Sequence, residues 1–284
     1  LLGMVPSQVL LILALVWQAG SAGWSNLEWV GAIFSVGICC GVYGINVAHE
    51  LGHRNDRISQ TAAKILLLTS LYMHFIIEHN RGHHRYVATK EDPASAPKGM
   101  LLYQFWIQSI IGSWRSAWRL EEQRLKKQQK SWWQNEMLWF QLIQLSVLSL
   151  FLFFFSWKGM VSFLLAATIG ILLLETINYI EHYGLQRNLR DNGKYERVQV
   201  HHSWNSNHSI GRLLLFELTR HSDHHAHPKR PYPILRHFDE SPQLPFGYPA
   251  MILISLVPPL WFRMMHGHIE REMNRLHSQQ EQNA

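Results

Sequence analysis

Four long runs without charged side chains constrain this chain more than any other feature. Residues 1–24 and 29–48 carry no charge, and residues 137–157 extend for 21 residues without one. Residues 159–174 form a fourth apolar run, whose helical pattern continues to residue 182. Because a helix needs about 20 apolar residues to cross the hydrocarbon core of a bilayer, the pattern predicts four membrane spans arranged as two hairpins.

Two weaker apolar runs are not typical of spans. Residues 65–77 are too few to cross a bilayer, so we expect them to be buried against other helices. Residues 244–262 contain four prolines between positions 245 and 259. Since proline interrupts helices, this run predicts a re-entrant or interfacial segment. The polar tail after Arg263 is expected to form a surface helix.

Composition supports a membrane protein and excludes some other classes. Hydrophobic residues make up 47% of the chain, but charged residues only 16%, against roughly 25% in soluble domains. Cys39 and Cys40 are adjacent in an apolar run, so they predict no disulfide framework. No glycine-rich phosphate loop precedes a helix, so nucleotide binding is not expected. The chain begins at Leu1 inside an apolar stretch, and we therefore expect further segments upstream.

The hairpins and the basic residues together predict the topology. Two hairpins place residues 49–136 and 182–284 on one side of the membrane, and these segments hold all but Lys158 of the 26 lysines and arginines. The positive-inside rule makes that side cytoplasmic. The basic residues flank spans, so we expect membrane lipid or an acidic protein as a partner, not nucleic acid. The sequence predicts one domain with four parts: a hairpin at 1–48, cytoplasmic helices at 49–136, a second hairpin at 137–181 and a cytoplasmic cap at 182–284.

Histidines cluster where the predicted spans reach the cytoplasm. The first cluster is His49-Glu50-Leu51-Gly52-His53, in which the two histidines are four residues apart and share one helical face. Taken alone, this HExxH pattern also describes zinc proteases, in which Glu50 would be the general base.

Three further clusters follow. The second, residues 78–84, reads EHNRGHH, and the third, residues 178–184, reads NYIEHYG. The fourth lies in residues 217–232, with histidines at spacings i, i+3 and i+4. Imidazole is the commonest neutral metal ligand in proteins. The nine candidate ligands are His49, His53, His79, His83, His84, His182, His221, His224 and His225.

Nine histidines exceed the needs of one ion. A zinc site uses three or four protein ligands, so the set suffices for two metal ions. Each cluster also carries a carboxylate, and metal-bound imidazoles usually donate their other N–H to such a group. We therefore predict that four acidic residues support the ligands without binding metal themselves: Glu50, Glu78, Glu181 and Asp223.

Other histidines carry weaker signals. Residues 201–208, HHSWNSNH, contain His201, His202 and His208. These could supply a ligand, line the site or form a docking surface for an electron donor, and we favour the last two. The remaining isolated histidines are expected to be packed or solvated: His74, His227, His237, His266, His268 and His277.

The motifs resemble one known family. HELGH, EHNRGHH, NYIEHYG and RHSDHHAHPKRPY are similar to the histidine boxes of the bacterial integral-membrane alkane 1-monooxygenases, as are LEEQRL at 120–125 and HHSWNSNH at 201–208. The resemblance runs from about Gly44 to Phe262. The individual boxes are shared more widely, with membrane fatty-acyl desaturases and xylene monooxygenases.

The resemblance implies a fold and an activity. It implies an all-α transmembrane bundle of six spans, four of them in this chain, with a cytoplasmic histidine-rich cap that holds a non-haem di-iron centre. It implies terminal hydroxylation of medium-chain n-alkanes to 1-alkanols, using O2 and electrons from reduced rubredoxin, which its reductase supplies. The single catalytic domain would then cover residues 1–284 in the bacterial inner membrane, with the active site on the cytoplasmic side.

Three alternatives stay open at the level of sequence. A fatty-acyl desaturase or a xylene-type hydroxylase could use the same scaffold, and only product analysis separates these. A membrane zinc protease using HELGH would bind a single zinc and leave most of the clustered histidines without a role. A metal transporter or storage protein would place its ligands near the middle of the membrane.

Overall fold

The computed structural model describes residues 1–21 and 23–282, without the side chains of residues 277 and 279–282. The expectation for His277 therefore lies outside the described side chains. Within the described residues the chain folds into helices, and β-pairing is limited to two isolated bridges. The predicted all-α class is confirmed.

Twelve α-helices are present in the described part of the chain. They are α1 (Met4–Ser21), α2 (Asn26–Cys39), α3 (Asn46–Gly52), α4 (Arg57–Leu68), α5 (Phe75–Glu78), α6 (His84–Tyr86), α7 (Leu102–Lys127), α8 (Glu136–His182), α9 (Ser209–Leu214), α10 (His221–Ala226), α11 (Tyr248–Ser255) and α12 (Pro258–Gln282). Two π-helices, π1 (Cys40–Ile45) and π2 (His79–His83), interrupt this series, and three single 3-10 turns cover Trp132–Gln134, Val200–His202 and Tyr232–Ile234.

Three helices are long and apolar enough to cross a membrane. They are Met4–Ser21, Asn26–Gly52, in which α2, π1 and α3 are continuous, and Glu136–His182. The last has 47 residues and is broken at Ser156, whose φ of 74° and ψ of 168° are not helical. The break divides α8 into two apolar segments, so the described residues contain the four segments that the sequence predicts.

The chain forms two compact units. The first unit contains Leu1–Asn80 and Trp114–Leu174. The second contains Arg81–Ser113 and the residues from Glu175 onward. Each unit is described separately below.

Small residues bring the apolar helices of the first unit close together. A Cβ atom on Gly37 would lie 2.6 Å from Cβ of Ile169, and one on Gly170 would lie 2.6 Å from Cβ of Cys40. Close backbone approach at small residues is the usual packing mode of helices in lipid. The indole N–H of Trp29 also donates to the Ser162 hydroxyl across 2.8 Å. These contacts pack α2 and π1 against the second half of α8.

The weak run at residues 65–77 is not one helix. Helix α4 ends at Leu68, with Leu66 and Leu67 fully buried. A turn follows, in which Leu71 has a φ of 53°, and α5 then begins at Phe75. Most of the run is buried, as expected. Because of the turn, α5 and the following His79 have a different direction from α4.

Both π-helices lie beside histidine clusters. Helix π1 ends four residues before His49, and π2 contains His79 and His83. A π turn holds one more residue than an α turn and is frequent at functional sites. The extra residue changes the direction in which the following side chains point.

Buried aromatic residues fix the end of α8 in the second unit. The Tyr179 hydroxyl donates to the Met100 carbonyl across 2.7 Å, and the Trp204 indole N–H donates to the Tyr183 carbonyl across 2.9 Å. The Tyr183 hydroxyl lies 2.9 Å from Nε2 of His266 on α12. The tail after Arg263 lies in α12 and is helical, as predicted. Through His266, α12 also packs within the second unit.

Candidate metal centre

The first unit brings three predicted ligands together. His49 lies in α3, His53 is the residue that caps it, and His79 opens π2. The Nε2 atom of His53 lies 3.2 Å from Nε2 of His49 and 3.2 Å from Nε2 of His79. His49 and His79 are buried and His53 is half-buried. We call these three residues the trio.

The second unit brings four predicted ligands together from three separate segments. They are His83 of π2, His182 at the end of α8, and His221 and His225 one turn apart in α10. One ligand atom from each lies within 4.8 Å of the others. Nε2 of His221 is 3.2 Å from Nε2 of His182 and 2.9 Å from Nε2 of His225. All four are buried. We call these four residues the quartet.

The last two predicted ligands form a pair in the second unit. Nε2 of His84 lies 3.1 Å from Nε2 of His224. Each is the immediate neighbour in sequence of a quartet member. Successive side chains of a helix point about 100° apart, so neighbouring histidines cannot share one set of ring nitrogens. Every one of the nine predicted histidines thus has another ring nitrogen within 3.2 Å or belongs to the quartet.

The nitrogen spacings are those of a coordination sphere. Two imidazole nitrogens bound to one ion at about 2.0–2.1 Å lie roughly 2.8–3.4 Å apart in octahedral or tetrahedral geometry. The observed separations are 2.9–3.2 Å. Hydrogen bonding alone does not account for them, because one Nε2–H can donate to only one acceptor while Nε2 of His53 faces two nitrogens. The trio and the quartet both fit a metal ion.

The ring of His225 in the quartet is available as a ligand at neutral pH. Burial lowers the pKa of His225 well below its usual value, and the neighbouring imidazoles lower it further. A neutral imidazole keeps a lone pair for a metal, whereas an imidazolium does not. The site is therefore ready to bind a cation without first having to lose a proton from His225.

Asp92 is the functional residue that sequence reasoning missed. Its Oδ2 atom lies 2.9 Å from Nδ1 of His83 and accepts a hydrogen bond of 2.5 Å from the Ser95 hydroxyl. Its Oδ1 atom accepts from the Ala94 backbone N–H across 3.1 Å. A carboxylate on Nδ1 holds the proton there and directs Nε2 toward a metal. The signal was present in the sequence as an Asp-Pro turn nine residues after His83.

Glu181 adjoins the quartet, as the sequence predicted for an acidic neighbour. Its Oε2 atom lies 3.2 Å from Nε2 of His221, and its Oε1 atom accepts a 2.9 Å hydrogen bond from the Tyr248 hydroxyl. Burial raises the pKa of Tyr248 well above its usual value, and the charge of Glu181 raises it further, so the hydroxyl stays protonated and donates. With Asp92, the quartet therefore has two buried carboxylates that can balance the charge of a cation.

Asp223 holds the short helix α10 in place. Its carboxylate binds the Arg230 guanidinium, lies 2.8 Å from Nδ1 of His227, and accepts a 2.7 Å hydrogen bond from the Arg236 backbone N–H. A helix of six residues is not stable by itself. These contacts of Asp223 join α10 to the loop that follows, and so hold His221 in position.

The other two predicted carboxylates lie in the first unit. Glu50 and Glu78 are both buried. Glu50 lies 3.8 Å from the guanidinium of Arg54, one turn later. Their role in supporting the trio stays a prediction.

A third group of possible ligands does not fit a metal. Glu196, His201 and His202 lie within ligand distance of one another in the second unit. Nδ1 of His202 accepts a 2.9 Å hydrogen bond from the Gln199 backbone N–H, so its proton must be on Nε2, which lies 3.2 Å from Glu196. Both ring nitrogens are thereby used. Burial, followed by the nearby His201, lowers the pKa of His202 to about 4, which keeps the ring neutral.

Four histidines outside these groups lie against polar or aromatic neighbours. His208 is exposed and lies 3.0 Å from the Ser206 hydroxyl. His74 is buried in the first unit with its ring against Tyr72, and burial lowers its pKa to about 4. His227 bonds to Asp223 and His268 to the Gln243 carbonyl.

Comparison with known proteins agrees with this centre. The fatty acid desaturase family profile matches residues 27–255. Alkane 1-monooxygenase 1 of Pseudomonas aeruginosa is 48% identical over 261 residues, which cover 90% of this chain and 68% of the relative. Alkane 1-monooxygenase of Acinetobacter baylyi is 46% identical over 234 residues, covering 81% of this chain and 57% of the relative.

A more distant relative marks the breadth of the group. The hydroxylase component XylM of the xylene/toluene monooxygenase of Pseudomonas putida is 30% identical over 249 residues, which cover 84% of this chain and 64% of the relative. The profile covers most of the chain, and the higher identities are to the alkane enzymes. The chain belongs to the fatty acid desaturase family and lies among its alkane 1-monooxygenases.

Proposed function

We propose that this chain is the catalytic part of an alkane 1-monooxygenase. It hydroxylates the terminal carbon of medium-chain n-alkanes to give 1-alkanols, using O2 and electrons from reduced rubredoxin. The observation that carries the proposal is that the nine predicted histidines lie in close groups of ring nitrogens, in a membrane protein that is 48% identical to an enzyme of that name.

The proposed cofactor is a pair of non-haem irons. The quartet offers four nitrogens to one iron, and the trio supplies ligands to the other. His84 and His224 form a further pair of ring nitrogens in the second unit. Imidazole suits iron, zinc and copper alike. Iron is favoured because the proposed reaction needs a redox metal.

The substrate makes redox chemistry necessary. A terminal methyl group has no acidic proton and no polar handle, so general acid–base or nucleophilic catalysis cannot open its C–H bond. A bound pair of irons supplies the activation of O2 that such a bond requires. The protein must then hold the metal ligands, exclude water and admit electrons.

The residues present are suited to these tasks. The four quartet histidines are at most 3% exposed, which keeps bulk water away from their nitrogens. Asp92 holds His83 through Nδ1, so this ligand is oriented before substrate arrives. An alkane dissolved in the bilayer can approach from the apolar spans, which end at Gly52 and His182.

Rubredoxin is the proposed electron donor, and basic side chains are its proposed docking contacts. Arg85 and Lys229 are exposed in the second unit and lie within five residues of His84 and His224, respectively. Exposed positive charge attracts an acidic carrier and accelerates its association. A third basic residue of this region, Arg230, is bound to Asp223 instead.

The proposed location is the bacterial inner membrane, with the active site facing the cytoplasm. All but one of the 26 lysines and arginines lie in the segments that carry the histidines. The positive-inside rule then favours the cytoplasmic side for those segments.

Iron analysis and product analysis test the proposal. Purified protein should contain about two irons per chain, since nine ligands exceed one site. It should convert octane to 1-octanol when rubredoxin, its reductase and O2 are supplied. A single zinc without iron would remove the metal assignment, and two irons without 1-octanol would remove the substrate.

The docking proposal has its own test. Arg85→Glu and Lys229→Glu should raise the KM for rubredoxin while leaving iron content unchanged, and added salt should weaken rubredoxin binding to the parent protein. Asn192→Asp serves as the control, because it adds negative charge at an exposed position that has no basic side chain in the parent protein. Unchanged KM values in both charge-reversal variants would contradict this docking surface.

A further inference from the structure

The exposed surface of α11 and of the start of α12 has no polar side chain. Between residues 246 and 260 every exposed residue is apolar. They are Phe246, Pro249, Ala250, Leu253, Leu256, Val257, Pro259 and Leu260. Leu253 is 67% exposed. A contiguous apolar surface of this kind in water would drive association, so it indicates a nonaqueous neighbour.

The first half of α7 carries a stripe of apolar residues on its exposed side. Its inward side is apolar as well, with Leu102 and Phe105 fully buried. Its outward side carries Tyr103, Ile107 and Ile111 at four-residue intervals, with exposed fractions of 46%, 65% and 44%. A helix with apolar residues on both its buried and its exposed side is suited to lipid, not to water.

A hydrogen bond joins the two surfaces within the second unit. The Tyr103 hydroxyl donates to the Leu256 carbonyl across 2.7 Å, at the end of α11. The Ser255 hydroxyl likewise donates to the Ile252 carbonyl across 2.7 Å. Carbonyls at a helix end normally bond to water. Here side chains take up two of them, as is required where water is excluded.

We propose that α11, the start of α12 and the outward stripe of α7 form a lipid-contacting surface that inserts part-way into the bilayer. We name this the insertion surface. It does not span, because the eight residues of α11 cover about 12 Å, well short of the roughly 30 Å hydrocarbon core. It therefore gives the second unit a membrane contact in addition to the four apolar spans.

The acyl region of the bilayer fits this surface better than a protein partner does. A typical protein interface has a polar rim and about one hydrogen bond per 100–200 Å², but no exposed residue of 246–260 offers a polar side chain. Polar groups occur at the edges, where Gln104 and Gln108 flank the stripe of α7 and Arg263 follows the apolar run. This arrangement matches an in-plane helix whose border reaches the lipid headgroups.

The insertion surface is connected to the candidate metal centre. Tyr248, the first residue of α11, donates its hydroxyl to Glu181, and Glu181 lies 3.2 Å from Nε2 of His221. Insertion of α11 therefore fixes the residue that holds a carboxylate beside the quartet. The membrane then acts as a structural partner of the centre as well as a store of apolar substrate.

Spin labelling in nanodiscs tests the proposal. The full iron-loaded chain, with Cys39→Ala and Cys40→Ala as background, receives a single label at Leu253→Cys or at Ile107→Cys. Phe153→Cys, 82% exposed on a span, is the lipid control, and Asn192→Cys, exposed in the second unit, is the water control. Relaxation by O2 and by a water-soluble nickel complex is measured at each site.

The two test sites should match Phe153. Their ratio of oxygen to nickel accessibility should exceed that of Asn192 by roughly tenfold, because hydrocarbon admits oxygen and excludes a polar complex. Nickel accessibility like that of Asn192 would place the surface in water and overturn the proposal. Protection from both reagents would indicate a protein partner and would overturn it equally. The Phe153 control separates this result from a failure of membrane placement, and neither depends on the proposed activity.

Discussion

The trio and the quartet use the same side chain but differ in how the chain builds them. The trio draws two of its members, His49 and His53, from a single helical turn, and His53 is half-buried. The quartet gathers three distant segments, all buried. Asp92 braces it through Nδ1 of His83, and Glu181 lies 3.2 Å from Nε2 of His221. A locally built group needs little beyond helix geometry, whereas a group built from distant segments depends on tertiary contacts that hold each ring.

This difference predicts unequal tolerance to change. A member of the quartet is rigid and sealed from water, so loss of one ring leaves a buried gap that nothing outside can fill. At the half-buried His53 of the trio, imidazole from solution can take the place of a ring that a substitution removes. Variants of each group test that contrast.

Removal of a quartet ring should have the largest effect. His225→Ala should abolish alkane hydroxylation and reduce iron from about two per chain to about one, because a four-ligand site loses a buried donor. Metal analysis and octane turnover check this. The control is His208→Ala, an exposed histidine outside the three groups, which should keep both iron and activity. Two irons retained in His225→Ala would remove the quartet as a binding site.

Removal of a trio ring should be severe but reversible. His53→Ala should also lose one iron and its activity, yet millimolar imidazole should restore part of both, since this position is open to solvent. The same imidazole should not rescue His225→Ala. Equal rescue of both variants, or rescue of the buried position alone, would contradict the contrast between the two groups.

Loss of the Asp92 brace should have an intermediate effect. Asp92→Asn keeps the shape but weakens the hold on His83 Nδ1, and changes of this kind cost about 10–100-fold in metal affinity. Competition with a chelator measures that affinity independently of activity. Ser95→Ala removes the 2.5 Å bond to Asp92 and the 2.8 Å bond from the Ala88 backbone N–H but keeps the carboxylate, so it should give a smaller loss in the same direction. Unchanged affinity in Asp92→Asn would make the contact purely structural.

The smallest effect concerns a histidine outside every group. Burial lowers the pKa of His74 from 6.5 to about 4. The unfolded chain therefore binds a proton at this position before the folded chain does, and stability falls as pH decreases from about 6.5 toward 4. The slope is at most about 1.4 kcal/mol per pH unit. Melting temperatures of the metal-free protein should show a shallower acid loss in His74→Phe than in the parent, and identical slopes would contradict the assignment.

Much of the fold followed from local pattern. The uncharged runs predicted the four apolar segments because hydrocarbon accepts only helices whose backbone is bonded internally. The spacings i and i+4 placed His49 with His53 and His221 with His225, since one helical turn separates them. The division of residues 78–84 did not follow from spacing. His79, His83 and His84 form one cluster in the sequence, but only His83 belongs to the quartet, whereas His79 contacts His53 and His84 contacts His224.

Three further features of the structure were not predicted, and each has a physical reason. No spacing rule anticipates a π-helix, and π2 is what separates His79 from His83 despite their four-residue interval. Asp92 was missed because its contact with His83 arises from a turn, not from helical periodicity. The Tyr248–Glu181 bond joins residues 67 positions apart, and no local pattern in one sequence reports such a pairing.

The two π-helices, π1 and π2, have a consequence for how the gene can vary. Each contains one residue more than ordinary helical winding requires. Deleting a single codon there would return that stretch to ordinary winding and change the direction in which His49 or His83 leaves the helix. Changes in chain length should therefore be tolerated in the surface loops but not in π1 and π2, where the number of residues sets the direction of the adjoining histidines.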